Sequence, residues 1–311
     1  MMSVLSLALV PILMGSGLAM QTAVNSKLRQ AVGSPYLASA VSFSVGALFL
    51  LGITGMTGGS LGISWQVISQ NPWWIWSGGV LGVIGLTVNL LLFPRLGSLQ
   101  TAVLPIFGQI VMGLIIDQFG LFSSPQTALT WLRGGGLVLV TGGMLVATGL
   151  LEKRSVTTAT RGKWLWQGLG IGAGMLMATQ TAINGHLGVV LGSSLHAALI
   201  SFSVGAVLLI LVVIGGRLSL SGFRTTDATS RHNWWQWLGG FLGALYVYGS
   251  SWLVPQIGTG QVVVLALFGQ LLFSALIDQF GWFEAVINRV ALSRLVGLVA
   301  LFLGVLSVHF L

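Results

Sequence analysis

Residues 21–50 read QTAVNSKLRQAVGSPYLASAVSFSVGALFL, and residues 180–209 read QTAINGHLGVVLGSSLHAALISFSVGAVLL. The two stretches align without a gap and are identical at 15 of 30 positions. Working outward, Trp73 to Phe122 aligns onto Trp234 to Phe283 with 22 of 50 positions identical. There WWIWSGG becomes WWQWLGG, FGQ at 107–109 returns at 268–270, and IDQFG at 116–120 returns at 277–281. Arg133 and Gly136 then match Arg294 and Gly297. Self-similarity on this scale means that one unit was duplicated and fused, so the fold is that of the unit, taken twice.

Each unit belongs in lipid. Of the 311 residues, 6% are charged and 55% hydrophobic, with a mean hydropathy of +0.95. Soluble domains carry about 25% charged residues. Apolar stretches long enough to cross a bilayer as helices recur along the chain. They are apolar on every face and do not alternate as barrel strands must. Helices are expected at 4–24, 36–57, 73–93, 99–116 and 134–151, then at 164–184, 196–215, 234–254, 260–277 and 293–311. The fold class is an all-α membrane protein of ten transmembrane helices. A first five-helix repeat spans 1–151, a polar linker (EKRSVTTATRGK) spans 152–163, and a second five-helix repeat spans 164–311. The first basic residue, Lys27, follows the first apolar run, so that run reads as a retained helix and not as a signal peptide.

The net charge of +8 reads as topology, not as a nucleic-acid surface, because the basic residues fall between the apolar segments. Lys27 and Arg29 lie in the first inter-helix loop, Arg95 in the third, and Lys153, Arg154, Arg161 and Lys163 in the fifth. Arg217, Arg224 and Arg231 lie in the seventh, and Arg289 and Arg294 in the ninth. These odd-numbered loops hold 12 of the 13 basic residues, and Arg133 is the exception. The positive-inside rule places them in the cytoplasm and both termini on the outer face of the cytoplasmic membrane. Five crossings per repeat is an odd number, so the second repeat enters the membrane upside down relative to the first. Inverted repeats of this kind build secondary transporters, with the substrate site near the midplane where the halves meet.

Polar side chains inside a bilayer are costly and face a cavity or a neighbouring helix. Gln109 and Gln270 occupy equivalent central positions, each after a glycine, and are the first candidates for the substrate site; a hydrogen bond to a neighbouring helix is the competing role. A metabolite-sized polar cavity bordered by both is the expected signature. Gln21 with Asn25, and Gln180 with Asn184, are spaced four apart on one helix face, at opposite ends of the membrane. They suit two gates, or else interhelix hydrogen bonds. Ser42, Ser44, Ser201 and Ser203 line the path or pack helices closely. Asn89 and Tyr246 break the symmetry, since Ser250 and Gly85 stand in the equivalent places, and could shape specificity. Asp117 and Asp278 are the repeat-equivalent acids, and each is expected to pair with the arginine 16 residues on, Arg133 or Arg294, as a clasp or gate. The Trp73, Trp74, Trp76 cluster and its counterpart Trp234, Trp235, Trp237 read as interfacial anchors.

There is no cysteine, and His186, His196, His232 and His309 show no metal-ligand spacing. No carboxylate lies mid-membrane, which leaves acid–base chemistry few residues and disfavours a cationic substrate. Neither an enzyme, a cofactor nor a metal is expected. The expected partners are the lipid bilayer and a small neutral or zwitterionic solute, with no nucleic acid; the oligomeric state is open, a homodimer included. An uncoupled facilitative permease is the alternative to a secondary transporter.

The set QTAVN with SFSVGA, WWIWSGG, PRLGSLQ at 94–100 with its counterpart PQIGTGQ at 255–261, FGQ and IDQFG resembles the drug/metabolite transporter superfamily. Within it the chain is most similar to the YdcZ-like branch, whose usual members are single five-helix units. The resemblance implies a cytoplasmic-membrane exporter with a central cavity between inverted halves. Other branches carry a membrane-embedded Glu in the first helix. Here Gln21 is the nearest polar residue, which argues against cation–proton antiport.

Overall fold

The structure, a computed structural model, describes residues 4–58, 62–148, 162–217, 234–285, 287 and 289–310. Linker positions 152–161, and with them Lys153, Arg154 and Arg161, lie outside the described residues, as do Arg224, Arg231 and His232. The described residues form helices and no strand. In chain order these are α1 (Val4–Val32), α2 (Pro35–Met56), the short α3 (Trp65–Gln70), α4 (Gly78–Phe119) and α5 (Trp131–Ala147). There follow α6 (Lys163–Val190), α7 (Ser194–Gly215), α8 (Gly239–Ile257), α9 (Thr259–Phe280) and α10 (Leu292–Phe310). Ser34 and Ser193 start α2 and α7 in the same way. Each hydroxyl accepts the N–H three residues on, from Leu37 and His196, and so satisfies an orphan donor of the first turn. Residues 7–32, 35–56, 194–215 and 259–280 are long and apolar enough to cross a membrane, and shorter apolar helices accompany them.

The expected boundaries need correction at several places, α6 for one continuing to Val190. Trp73–Trp76 forms a separate 3-10 turn before α4, and α1 continues to Val32. The α4 assignment also joins two expected helices into one element of 42 residues. A Cβ placed on Gly170 of α6 would stand 3.1 Å from both Leu92 Cδ1 and Leu104 Cβ. In a straight helix those two residues would be about 18 Å apart, so the chain turns back between them. Its equivalent in the second half, between α8 and α9, turns at Gly258, whose φ of 89° and ψ of 160° suit a residue without a side chain.

Equivalent helices of the two copies pack on each other, running in opposite directions. Along α5 and α10, Gly136 meets Gly304 and Gly143 meets Gly297, so the backbones approach closely. Along α2 and α7, the rings of Phe43 and Phe202 meet at a tilt of 31° with centroids 5.0 Å apart. The remaining helices interlock across the halves: α1 lies against α8 and α9, and α6 lies against α4. The main core, with Ala8, Ile110, Met144, Ala178, Phe268 and Leu301, draws on both halves.

Candidate transport pathway

The amides of the repeated QTAVN and QTAIN segments hold helices together. Asn25 Nδ2 donates to Ser42 Oγ at 3.2 Å, and Asn184 Nδ2 donates to Ser201 Oγ at 3.1 Å. Each asparagine leans on the first glycine of a helix from the other half, Asn25 on Gly239 and Asn184 on Gly78. Gln21 and Gln180 lie one turn further along, against Gly243 and Gly82. Of the four serines named from sequence, Ser42 and Ser201 are therefore occupied, while Ser44 and Ser203 are half-buried.

Gln109 and Gln270 are placed by two matching helix crossings. Gly108 presses on the backbone of Ile171 in α6, and Gly269 presses on that of Ile12 in α1. The next residue in each case is a half-buried glutamine with no hydrogen-bond partner among the described residues. A cavity of about 750 Å³ lies between α1, α8 and α9 and is lined by Met14, Met20, Tyr246, Tyr248, Trp252 and Phe273 among others, with neither glutamine in its wall. Tyr246 also hydrogen-bonds Thr181 of α6. Asn89 lies on α4, with its side chain outside the described ones.

The IDQFG motif makes the same turn twice. Gly120 and Gly281 take the left-handed conformation that ends each helix, at φ 61° and 66°. Gln118 Oε1 accepts from Leu129 N at 2.7 Å, and Gln279 Oε1 from Val290 N at 2.8 Å. The aspartates between them diverge. Asp278 takes Nη1 of Arg294 at 2.7 Å, the expected pair. Asp117 does not pair with Arg133, which corrects the reading from spacing. Its carboxylate accepts N–H bonds from Thr259 at 2.8 Å and Gly260 at 2.9 Å, plus the Ser124 hydroxyl at 3.2 Å. The N-terminus of α9, with its unsatisfied donors and positive dipole end, has taken the place of the arginine. The Arg133 guanidinium bonds the carbonyls of Val308 and Ala128 instead. A void of about 20 Å³, bordered by both Asp117 and Arg133, has room for one water.

The two ends of the bundle differ elsewhere too. At the Asp117 end α6 packs along α8, with Thr181 buried against Tyr246 and Gly185 against Val254. Among the described residues the repeat-equivalent pair at the Asp278 end, α1 with α4, makes next to no contact, and Thr22 and Ser26, counterparts of Thr181 and Gly185, are exposed. Sequence reasoning passed over these four residues and the Ser124–Thr259 pair. The signal available was that the Thr of QTAVN and QTAIN is present in both copies.

A family model described as "Putative inner membrane exporter, YdcZ" matches twice, over residues 6–146 and 165–307, once on each half. The curated Inner membrane protein YdcZ of Escherichia coli (strain K12) is 26% identical over 133 residues, which are 43% of this chain and 89% of that protein. That relative is thus the size of one repeat. A solved crystal structure superimposes with a TM-score of 0.66 at 16% identity, covering 98% of this chain and 96% of its own, a likeness of fold alone. With both halves matched and the helices apolar throughout, the chain is a multi-pass inner-membrane protein that belongs to the YdcZ family of the drug/metabolite transporter superfamily.

Proposed function

We propose that the protein is a secondary transporter that exports a small neutral or zwitterionic metabolite, by alternating access between two inverted five-helix repeats. The repeats are 1–151 and 164–311, joined by a cytoplasmic linker, with ten crossings in all and both termini outside. The antiparallel packing of α5 on α10, and the turn-back within α4, support the inverted arrangement and the count. One observation carries the mechanism. Among the described residues, helix pairs that the duplication makes equivalent are closed at one end, α6 on α8, and parted at the other, α1 from α4. A molecule built from two like halves would, by symmetry, exchange which pair is closed. On the positive-inside orientation the parted end faces the cytoplasm, where an exporter loads its cargo. Gln109 and Gln270, with neutral amides held at the crossings and no hydrogen-bond partner among the described residues, are the groups that would bind a neutral solute. The reading is of a carrier and not of an enzyme.

The test is a thermal-shift screen of neutral and zwitterionic metabolites on the purified protein, followed by counterflow in proteoliposomes with and without a pH gradient. A solute at a hundred times its Kd stabilises by about 2.7 kcal/mol. Gln109→Ala and Gln270→Ala are expected to abolish the shift and the counterflow. Stabilisation that survives both substitutions would remove the glutamines from the site. Flux that responds only to the solute's own gradient would make the protein an uncoupled permease.

A further inference from the structure

Asp117 and Asp278 occupy the same place in the two repeats, and each has an arginine 16 residues downstream. Thr259 and Gly260 open α9 and face the opposite repeat's Asp117, and Ser98 and Leu99 hold the equivalent positions after Gly97, there within α4. In the structure the two aspartates have made different choices. Asp117 is bound to the N-terminus of α9, a helix of the other repeat, and Arg133 is left on backbone carbonyls across a water-sized void. Asp278 is bound to its own Arg294. The end where the aspartate holds the opposite repeat is the end where α6 and α8 are closed. The end where it holds its own arginine is the end where α1 and α4 are parted.

We propose that Asp117 and Asp278 are a pair of two-position latches, each alternating between its own arginine and the N-terminus of the opposite repeat's fourth helix. In the outward-open state Asp117 would cross the void to Arg133, and Asp278 would leave Arg294 for the amides at Ser98 and Leu99, which α4 would free by breaking at Gly97 as the chain does at Gly258. An arginine waits at each released position because a carboxylate stripped of its amide donors needs a charged partner at that depth. The latches are not equal. Asp117 has Ser124 and Thr259 hydroxyls around it, in mutual contact at 3.0 Å, whereas Ala285 stands at the position equivalent to Ser124. The outer latch therefore holds more strongly, and the cytoplasm-facing state is the resting one.

This inference rests on the alternating-access reading, but it is tested without any solute. The chain contains no cysteine, so Thr22→Cys and Thr181→Cys are clean reporters of the inner and outer clefts. In the resting protein the Thr22→Cys site is labelled by an impermeant maleimide from the cytoplasmic side, and the Thr181→Cys site is protected from the outside. Asp117→Asn removes charge-assisted hydrogen bonds and is expected to raise outside labelling of the Thr181→Cys site about tenfold while lowering labelling of the Thr22→Cys site. Thr259→Pro removes one N–H from the latch, at a first helical position where proline is tolerated, and shifts labelling the same way if the Asn variant fails to fold. Arg294→Gln frees Asp278 and is expected to lower labelling of the Thr22→Cys site. Unchanged labelling in variants that elute as the parent does would overturn the latch, as would a rise at both reporters together, which indicates loosening and not exchange. Shifted labelling without counterflow of any solute would refute the transport reading and leave the latch standing.

Discussion

Asn184 is 1% exposed and its Oδ1 has no donor, yet the residue recurs in both copies. Its Nδ2 bond to Ser201 links α6 to α7 within one repeat, while its body rests on Gly78 of the other. Interhelix hydrogen bonds in membranes are worth about 0.6 kcal/mol on average, because the separated helices find other partners. Asn184→Ala is therefore expected to lower unfolding stability by about 1 kcal/mol or less, read in a denaturant titration in detergent. A loss of several kcal/mol would mean that the asparagine does more than join two helices. At this scale the sequence is legible in part. The four-residue spacing of Gln21 and Asn25 did mark one face, but it could not distinguish a gate from a strut. The 16-residue spacing of Asp and Arg predicted one pair and missed the other. What decided Asp117 was a donor set in the opposite repeat, 142 residues along the chain at Thr259, which no local pattern reports.

Elements were easier to read than side chains, because apolar length and punctuation are local properties. The IDQFG motif announces a helix end in both copies, with Gly120 and Gly281 in the left-handed conformation. The boundary between the two expected helices joined in α4 was harder: the equivalent boundary carries Gly258 and a clear break, whereas 94–100 stays helical by hydrogen bonding. The element-scale contacts that matter most are the crossings of α4 on α6 and of α9 on α1. At Gly108 and Gly269 an added Cβ would overlap a backbone carbonyl, at Ile171 and Ile12 respectively, and a backbone cannot move aside as a side chain tip can. Overpacking of this kind costs about 1–3 kcal/mol, several times the asparagine bond. Gly269→Ala and Gly108→Ala are each expected to lower stability by an amount near the top of that range and to displace the neighbouring glutamine, which would weaken solute-induced stabilisation as well. If Gly269→Ala were as stable as the parent protein, the crossing would be looser than the structure has it.

At the scale of the whole molecule, a duplicated unit with the proposed odd number of crossings must present its two copies in opposite senses, and opposite senses would allow one sequence pattern to build both of the proposed gates. The single-repeat size of the Escherichia coli relative fits the same logic, since one unit holds half of each interface described above. The contacts bear on it directly: Gly136 with Gly304 and Gly143 with Gly297 run antiparallel along α5 and α10, which calls for an axis across those helices and not along them. With the ten crossings proposed above, such an axis would put both termini on one side, and the concentration of 12 of 13 basic residues in the odd loops would make that side the outer one. Short tags at positions 1 and 311, probed in intact cells with an impermeant protease or antibody, are expected to be accessible without permeabilisation. Both tags protected would reverse the orientation, exchanging the inner and outer assignments of the Asp117 and Asp278 ends while leaving the packing untouched. One tag accessible and one protected would mean an odd number of crossings in total, and neither the inverted repeat nor the exchange of gates could then hold.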